Sequence, residues 1–296
     1  MTAFSAWEKT GKYYTYKDQY KIFYQEAGSG TPLLLLHGFP TASWDWHKIW
    51  KPLTQRYSLF APDFIGFGYS DKPKSYHYSI HDQADVIEHG LATLNITEAH
   101  ILAHDYGDTV LQELLARNID RNNAGQQGFN IQSVALLNGG LFPETHIARP
   151  IQKALIGPFG FILPYFLYKN SVRKTFSQVF GKDTQASEQE IDEFYHLITY
   201  NKGKYLFHKL IRYMADRKEH RSRWVSALQN APVPIRLING ASDPVSGIHM
   251  TERYRELVPN PDIVLLDKIG HYPQTEAPKA VLDAYLDFRS NIEKTS

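Results

Sequence analysis

The sequence predicts an α/β fold with a mostly parallel central sheet, helices on both faces and an inserted helical segment. Three observations carry that reading. Short apolar runs of strand length alternate along the chain with stretches of helical spacing. One long stretch, residues 141–228, contains no such run. The 296 residues, 43% of them hydrophobic, suffice for one large domain or a domain carrying an insertion.

The elements follow in chain order. Tyr13–Tyr16 and Lys21–Gln25, rich in aromatics, predict a hairpin turning near Asp18-Gln19. Pro32–Leu36 is a continuous apolar run, which suits a strand buried on both faces. Tyr57–Ala61, Ala99–Ala103, Ser133–Leu137, Ile235–Ile238 and Ile263–Leu266 repeat that signature. Helical patterning marks Ser79–Leu94, Tyr106–Asn118, Met250–Leu257 and Pro278–Ile292, and Asn122–Gly128 reads as a mobile polar loop. Within the strandless stretch, Ser187–Ile198 reads as a helix opened by a capping box of Ser187 and Glu190. Residues 1–140 and 229–296 are thereby assigned to a sheet core, and 141–228 to a helical lid.

Composition removes several function classes. The 32 basic and 31 acidic residues leave a formal net charge of +1, so global charge favours neither nucleic acid nor anionic lipid as a partner. The absence of cysteine rules out disulfides, a thiolate nucleophile and a zinc–cysteine site. Met1–Gly11 lacks the basic and apolar regions of an export signal. The most apolar stretch, Phe159–Tyr168, is about half the roughly twenty residues of a membrane span. The histidines show no metal-site spacing, and Gly66-x-Gly68 lacks the third glycine and the helix of a dinucleotide loop. A cytoplasmic protein without metal or organic cofactor is expected. The run Arg217, Lys218, Arg221, Arg223 reads as the solvated face of a helix.

In open α/β sheets, ligands bind at the carboxyl ends of strands. His37-Gly38-Phe39-Pro40, His104-Asp105-Tyr106-Gly107, Asn239 to Asp243, and Ile269-Gly270-His271 occupy such positions. Ala103-His104-Asp105-Tyr106-Gly107 has the small-x-nucleophile-x-small form of a nucleophile elbow, with Asp105 where a serine usually stands. Asp105, Asp243 and His271 therefore arrive in the order nucleophile, acid, histidine. Asp105 alone could be a helix cap and Asp243, before Pro244, a turn residue, but the elbow context and the order favour catalytic roles.

The chain resembles the α/β-hydrolase fold, in its aspartate-nucleophile branch of epoxide hydrolases and haloalkane dehalogenases, and within it the mesoderm-specific transcript proteins and their bacterial relatives. The residues that carry the likeness are His104-Asp105-Tyr106-Gly107-Asp108, Asn138 to Thr145, Arg223-Trp224-Val225 and His271-Tyr272-Pro273-Gln274. The resemblance implies that Asp105 attacks a saturated carbon and that His271, oriented by Asp243, activates water against the resulting ester. It also implies oxyanion donors in the amides of Phe39 and Tyr106. Glu144 is the fallback for the acid. Phe39-Pro40 matches a His-Gly-x-Pro form whose proline peptide can be cis. Asp108 departs from the family's second glycine; it could raise the proton affinity of Asp105, bind a polar group or cap a helix.

The leaving group separates two activities. A halide needs N–H donors, which neither Tyr106 nor Phe39 offers from its side chain. An epoxide oxygen needs a proton, which the resemblance assigns to lid tyrosines; Tyr213 is the first candidate and Tyr165 the second. His37, Trp44 and Phe142 are expected around the pocket, with His37 and His104 as structural hydrogen-bonders. The expectation is hydrolysis of a small apolar epoxide to a diol. The alternatives are a haloalkane or haloacid dehalogenase, with Trp44 as N–H donor, and a non-catalytic ligand- or partner-binding protein.

Overall fold

The structure, a computed structural model, describes residues 2–295. Its eight strands are β1 (Lys12–Tyr16), β2 (Tyr20–Ala27), β3 (Thr31–Leu36), β4 (Tyr57–Pro62), β5 (Glu98–His104), β6 (Asn130–Leu137), β7 (Ile235–Gly240) and β8 (Asp262–Leu266). They form one sheet in the order β1-β2-β4-β3-β5-β6-β7-β8. β1 with β2 and β2 with β4 pair antiparallel; β3 to β8 are mutually parallel. Each strand predicted from the sequence is present. The hairpin turns through Lys17 and Asp18, both at positive φ, with Tyr16 opposite Tyr20.

Alternation within the central strands explains why both faces are covered. Leu34, Leu36, Ile101, Ala103, Val134 and Leu136 belong to one core cluster, and Leu33, Leu35, Leu102, Ala135 and Leu137 to the other. Successive side chains of a strand point to opposite faces, so a continuous apolar run must be buried twice. On the first face lie α3 (Ile80–Thr93) and α4 (Tyr106–Ala124), contributing Ile87, Val110 and Leu114; the second receives α2 (His47–Thr54) and α13 (Pro278–Thr295), with Ile49, Val281 and Tyr285. Burying each such side chain contributes roughly 1.5–3 kcal/mol.

One sequence reading changes, and one helix is added to those expected. The polar stretch Asn122–Gly128 is loop only in part, because α4 continues to Ala124 and ends at a left-handed Gly125. The N-terminal stretch contains a helix, α1 (Ala3–Thr10), which anchors Trp7 against Trp44.

Between β6 and β7 the chain forms six α-helices: α5 (Pro150–Ile156), α6 (Lys169–Val179), α7 (Glu188–Thr199), α8 (Phe207–Leu210), α9 (Tyr213–Glu219) and α10 (Arg221–Gln229). The predicted box opens α7. The Glu190 amide donates to Ser187 Oγ at 3.2 Å, and the Ser187 amide donates to Glu190 Oε2 at 2.8 Å. Two further helices, α11 (Ile248–Leu257) and α12 (Pro273–Glu276), flank β8 in the chain.

Candidate active site

The strand-end residues converge. Asp105 stands between β5 and α4 with φ 45° and ψ −101°, a conformation that costs on the order of 1–3 kcal/mol in a residue with a side chain. The elbow is held by two main-chain bonds: the Asp105 amide donates to the Leu137 carbonyl at 3.1 Å, and the Gly107 amide to the His37 carbonyl at 3.0 Å. The requirement for a small residue is visible at Gly107, where a Cβ would lie 2.4 Å from the Leu36 carbonyl oxygen. The buried Asp105 carboxylate accepts from the Phe39 amide at 3.2 Å. Tyr106 is the first residue of α4, so its amide lacks an intrahelical acceptor and adds the positive end of the helix dipole. The Phe39-Pro40 peptide is cis.

His271 and Asp243 complete the group. His271 Nδ1 lies 2.7 Å from Asp243 Oδ2, and Nε2 lies 3.9 Å from Asp105 Oδ2. Three donors fix Asp243: Asn138 Nδ2 at 2.9 Å, Ser246 Oγ at 2.8 Å and the Val245 amide at 2.8 Å. Burial opposes the charge of Asp243, yet His271 and these donors hold its carboxyl at about 2. Burial also opposes the imidazolium, but the charge and hydrogen bond of Asp243, then the charge of Asp105, raise His271 to about 9. Glu144 does not substitute for Asp243. It is paired with Arg221 and, at 3.3 Å, with Arg253, away from His271.

Asp105 and His271 line a cavity whose other walls include Phe39, Leu155, Phe176, Ile198, Phe207 and Tyr272. None of the three expected pocket residues is among these walls. His37 accepts from the Phe64 amide at 3.0 Å, Phe142 is wholly buried beside Tyr254, and Trp44 donates its indole N–H to Glu193 at 2.9 Å. His104 is also structural: its Nε2 lies 2.7 Å from the His271 carbonyl oxygen.

The tyrosines divide. Tyr165 is 60% exposed, with its ring against Tyr205 rather than the site, so it is no donor. Tyr213 is buried, its ring 5.0 Å from that of Tyr106 and 6.0 Å from that of Phe39. Burial, then the charge of Asp105, pushes its hydroxyl above the ordinary value. Tyr272, which the sequence reading quoted only as part of a motif, lines the cavity and donates to the Phe39 carbonyl at 3.3 Å. Its position directly after the histidine was the available signal.

The largest correction concerns Arg217. Only 3% exposed, it is not on a solvated helix face. Its Nε donates to Thr109 Oγ1 at 2.7 Å, and Nη2 donates to the Asp105 carbonyl at 3.2 Å and lies 3.6 Å from Asp105 Oδ1. The guanidinium also sits 4.5 Å from the Tyr213 ring centre. Asp108 is fully buried in the first turn of α4; burial, then the charge of Asp105, pushes its carboxyl well above the carboxylate range and favours its neutral form. Among the described residues, no three His, Cys, Asp or Glu side chains are grouped to hold a metal ion.

Comparison with known proteins gives a consistent family. A model described as the alpha/beta hydrolase fold matches residues 31–278. The mesoderm-specific transcript homolog protein of Homo sapiens is 42% identical over 302 residues, covering 97% of this chain and 88% of that protein. The crystal structure of haloalkane dehalogenase DbeA from Bradyrhizobium elkani superposes with a TM-score of 0.81 at 20% identity, covering 97% of this chain and 99% of its own. Epoxide hydrolase CorEH does so with a TM-score of 0.77 at 19% identity, covering 96% and 99%. At such identities the structural likeness is one of fold, and it does not separate epoxide from halide chemistry.

Proposed function

The chain belongs to the α/β-hydrolase fold family, and on that premise we propose that it opens an epoxide to a vicinal diol. The observation that carries the reading is the placement of Asp105. Its carboxylate projects from a strained elbow into an apolar cavity, 3.2 Å from the Phe39 amide and 3.9 Å from His271 Nε2.

In the first step a carboxylate oxygen of Asp105 attacks an epoxide carbon, the C–O bond breaks, and a tyrosine hydroxyl protonates the leaving oxygen. Tyr213, buried beside Asp105, and Tyr272, once its 3.3 Å bond to the Phe39 carbonyl is given up to the epoxide oxygen, are the donors. Burial raises both above the ordinary tyrosine value, which keeps them protonated and able to donate. Ester formation removes the negative charge of Asp105, one of the causes that raise His271. Its proton affinity falls, so His271 sheds its proton and stands neutral, able to accept one, just when water must be activated against the ester carbonyl. The amides of Phe39 and Tyr106 hold the oxyanion, and collapse releases the diol and the carboxylate. The proton taken by His271 returns through solvent to the phenolate. The helical segment closes the cavity as its lid, through Leu155, Phe176, Ile198 and Phe207.

A second reading, dehalogenation through the same ester, is favoured by one observation: Arg217 places an N–H donor 3.6 Å from Asp105 Oδ1. Trp44 does not serve it, since its N–H is bound to Glu193. The deciding experiment is intact-protein mass on the His271→Gln variant, incubated with aryl and alkyl epoxides and, in parallel, with bromoalkanes. Loss of the base stalls the second step, so an adduct of the whole epoxide mass on Asp105 is expected. An adduct formed only from bromoalkane, with bromide released, assigns the protein to dehalogenation. No adduct from either leaves a ligand-binding role.

A further inference from the structure

The helical segment presents a surface unlike the rest of the molecule. Of the twelve large apolar side chains exposed among the described residues, nine lie between Ile147 and Tyr168. Phe159, Phe166 and Tyr168 are exposed to 71%, 64% and 61%. The same stretch has one sign of charge. Between Glu144 and Asp183 there is no acidic residue, while Arg149, Lys153, Lys169, Arg173, Lys174 and Lys182 are all basic. A chain of net charge +1 thus conceals a local cationic excess. Asp192 and Glu188 partner Lys169 and Arg173, whereas Lys153 and Lys174 are exposed and form no ion pair among the described residues. The patch is also continuous with the cavity, because Ile151, Leu163, Pro164 and Leu167 of this stretch are cavity walls.

Soluble proteins seldom leave a contiguous apolar patch exposed unless it meets a partner. Aromatic rings flanked by lysines match the headgroup region of a bilayer, where rings enter the acyl boundary and cations meet lipid phosphates. A second copy of the chain would instead set the same cations against one another.

We propose that residues 147–168 dock peripherally on an anionic lipid bilayer, with Phe159, Phe161 and Phe166 immersed and Lys153 and Lys174 facing the phosphates. The cavity entrance then abuts the bilayer, from which apolar substrate can enter. This contact does not depend on which reaction the site performs.

The test is flotation of the full chain with vesicles of phosphatidylcholine alone or mixed with phosphatidylglycerol. The wild-type chain should float with the mixed vesicles, less so at high salt. The double variant Phe159→Ser/Phe166→Ser should lose about tenfold or more of that partition. Lys153→Glu/Lys174→Glu should lose only the part that phosphatidylglycerol adds. Leu265→Ser, an exposed apolar position outside the patch, should change nothing. Thermal melts establish that each variant is folded, and Tyr165→Ser/Tyr168→Ser replaces the phenylalanine pair should that pair not fold. Three results would overturn the proposal: no flotation of the wild type with either vesicle, equal flotation of the patch variant, or vesicle-free self-association that the patch variant abolishes.

Discussion

The sheet and the helical segment between β6 and β7 supply the candidate site under different rules. From the sheet come Asp105, Asp243 and His271, each fixed by the end of a strand and by main-chain hydrogen bonds around it. Their spacing is set by the strand order, which brings β5, β7 and β8 to one side of the sheet. From the helical segment come Arg217 and Tyr213, placed by packing between helices that share no register with the sheet. The same segment buries one arginine against Asp105 and leaves a row of aromatic rings in solvent. Position at a strand end is thus a strong guide to chemistry, whereas position within a helical run is not.

The sharpest way to break that comparison is to remove two arginines from one basic run. Arg217 is buried between Asp105, Thr109 and Tyr213, and Arg221 is a partly exposed partner of Glu144. Removing one partner of a buried pair destabilises by roughly 3–5 kcal/mol, because the remaining charge stays desolvated. An exposed pair contributes about 0–1 kcal/mol. Urea unfolding should therefore show a large loss for Arg217→Met and a small one for Arg221→Met. Equal losses would mean that Arg217 does not hold the site together.

The next effect belongs to the sheet. His271, raised to about 9 against an ordinary 6.5, stabilises the folded chain fully below about pH 6.5, and this contribution is lost as pH rises through about 9. Its full size is on the order of 3 kcal/mol. Asp243 behaves with the opposite sign: its contribution is present above about pH 4 and lost as pH falls through about 2. The stability gap between wild type and His271→Gln should shrink from pH 6 toward pH 10. A gap that stays constant across that range would show that no such ion pair forms.

What was legible in the sequence follows the same division. The apolar runs of β3, β5 and β6 could be read because burial on both faces leaves no polar position. Asp105, Asp243 and His271 could be singled out because each lies within a few residues of the end of such a run. Trp44 and Phe142 were misplaced because an aromatic near the site in sequence can face either the cavity or the core. Trp44 instead reaches across the molecule to Glu193, a contact between residues 149 positions apart. Arg217 was misplaced for a related reason: its spacing from Arg221 suits one helix face, yet the chain breaks at His220 between α9 and α10. Helical periodicity cannot be carried across that break. Charge balance is silent in the same way, since a total of +1 says nothing about a stretch of six cations.

The smallest effect tests which tyrosines of the molecule are chemical. Tyr165 and Tyr213 lie in the same helical segment, and composition gave no ground for choosing between them. Tyr213 is buried near Asp105, Tyr272 lines the cavity from the sheet side, and Tyr165 is exposed. Positioned proton transfer contributes roughly 100-fold or more to rate, but two hydroxyls at one site can replace each other in part. Tyr213→Phe and Tyr272→Phe should each lower kcat for an epoxide by about tenfold, equivalent to about 1.4 kcal/mol, and the double variant by more. Tyr165→Phe should leave kcat unchanged, and turnover of a bromoalkane should respond to none of the three, because a halide leaves without a proton. If Tyr165→Phe matched Tyr213→Phe, burial beside Asp105 would no longer distinguish a proton donor from a surface ring. If only Tyr272→Phe acted, the acid would belong to the sheet like the rest of the machinery, and the helical segment would supply Arg217 and the cavity walls alone.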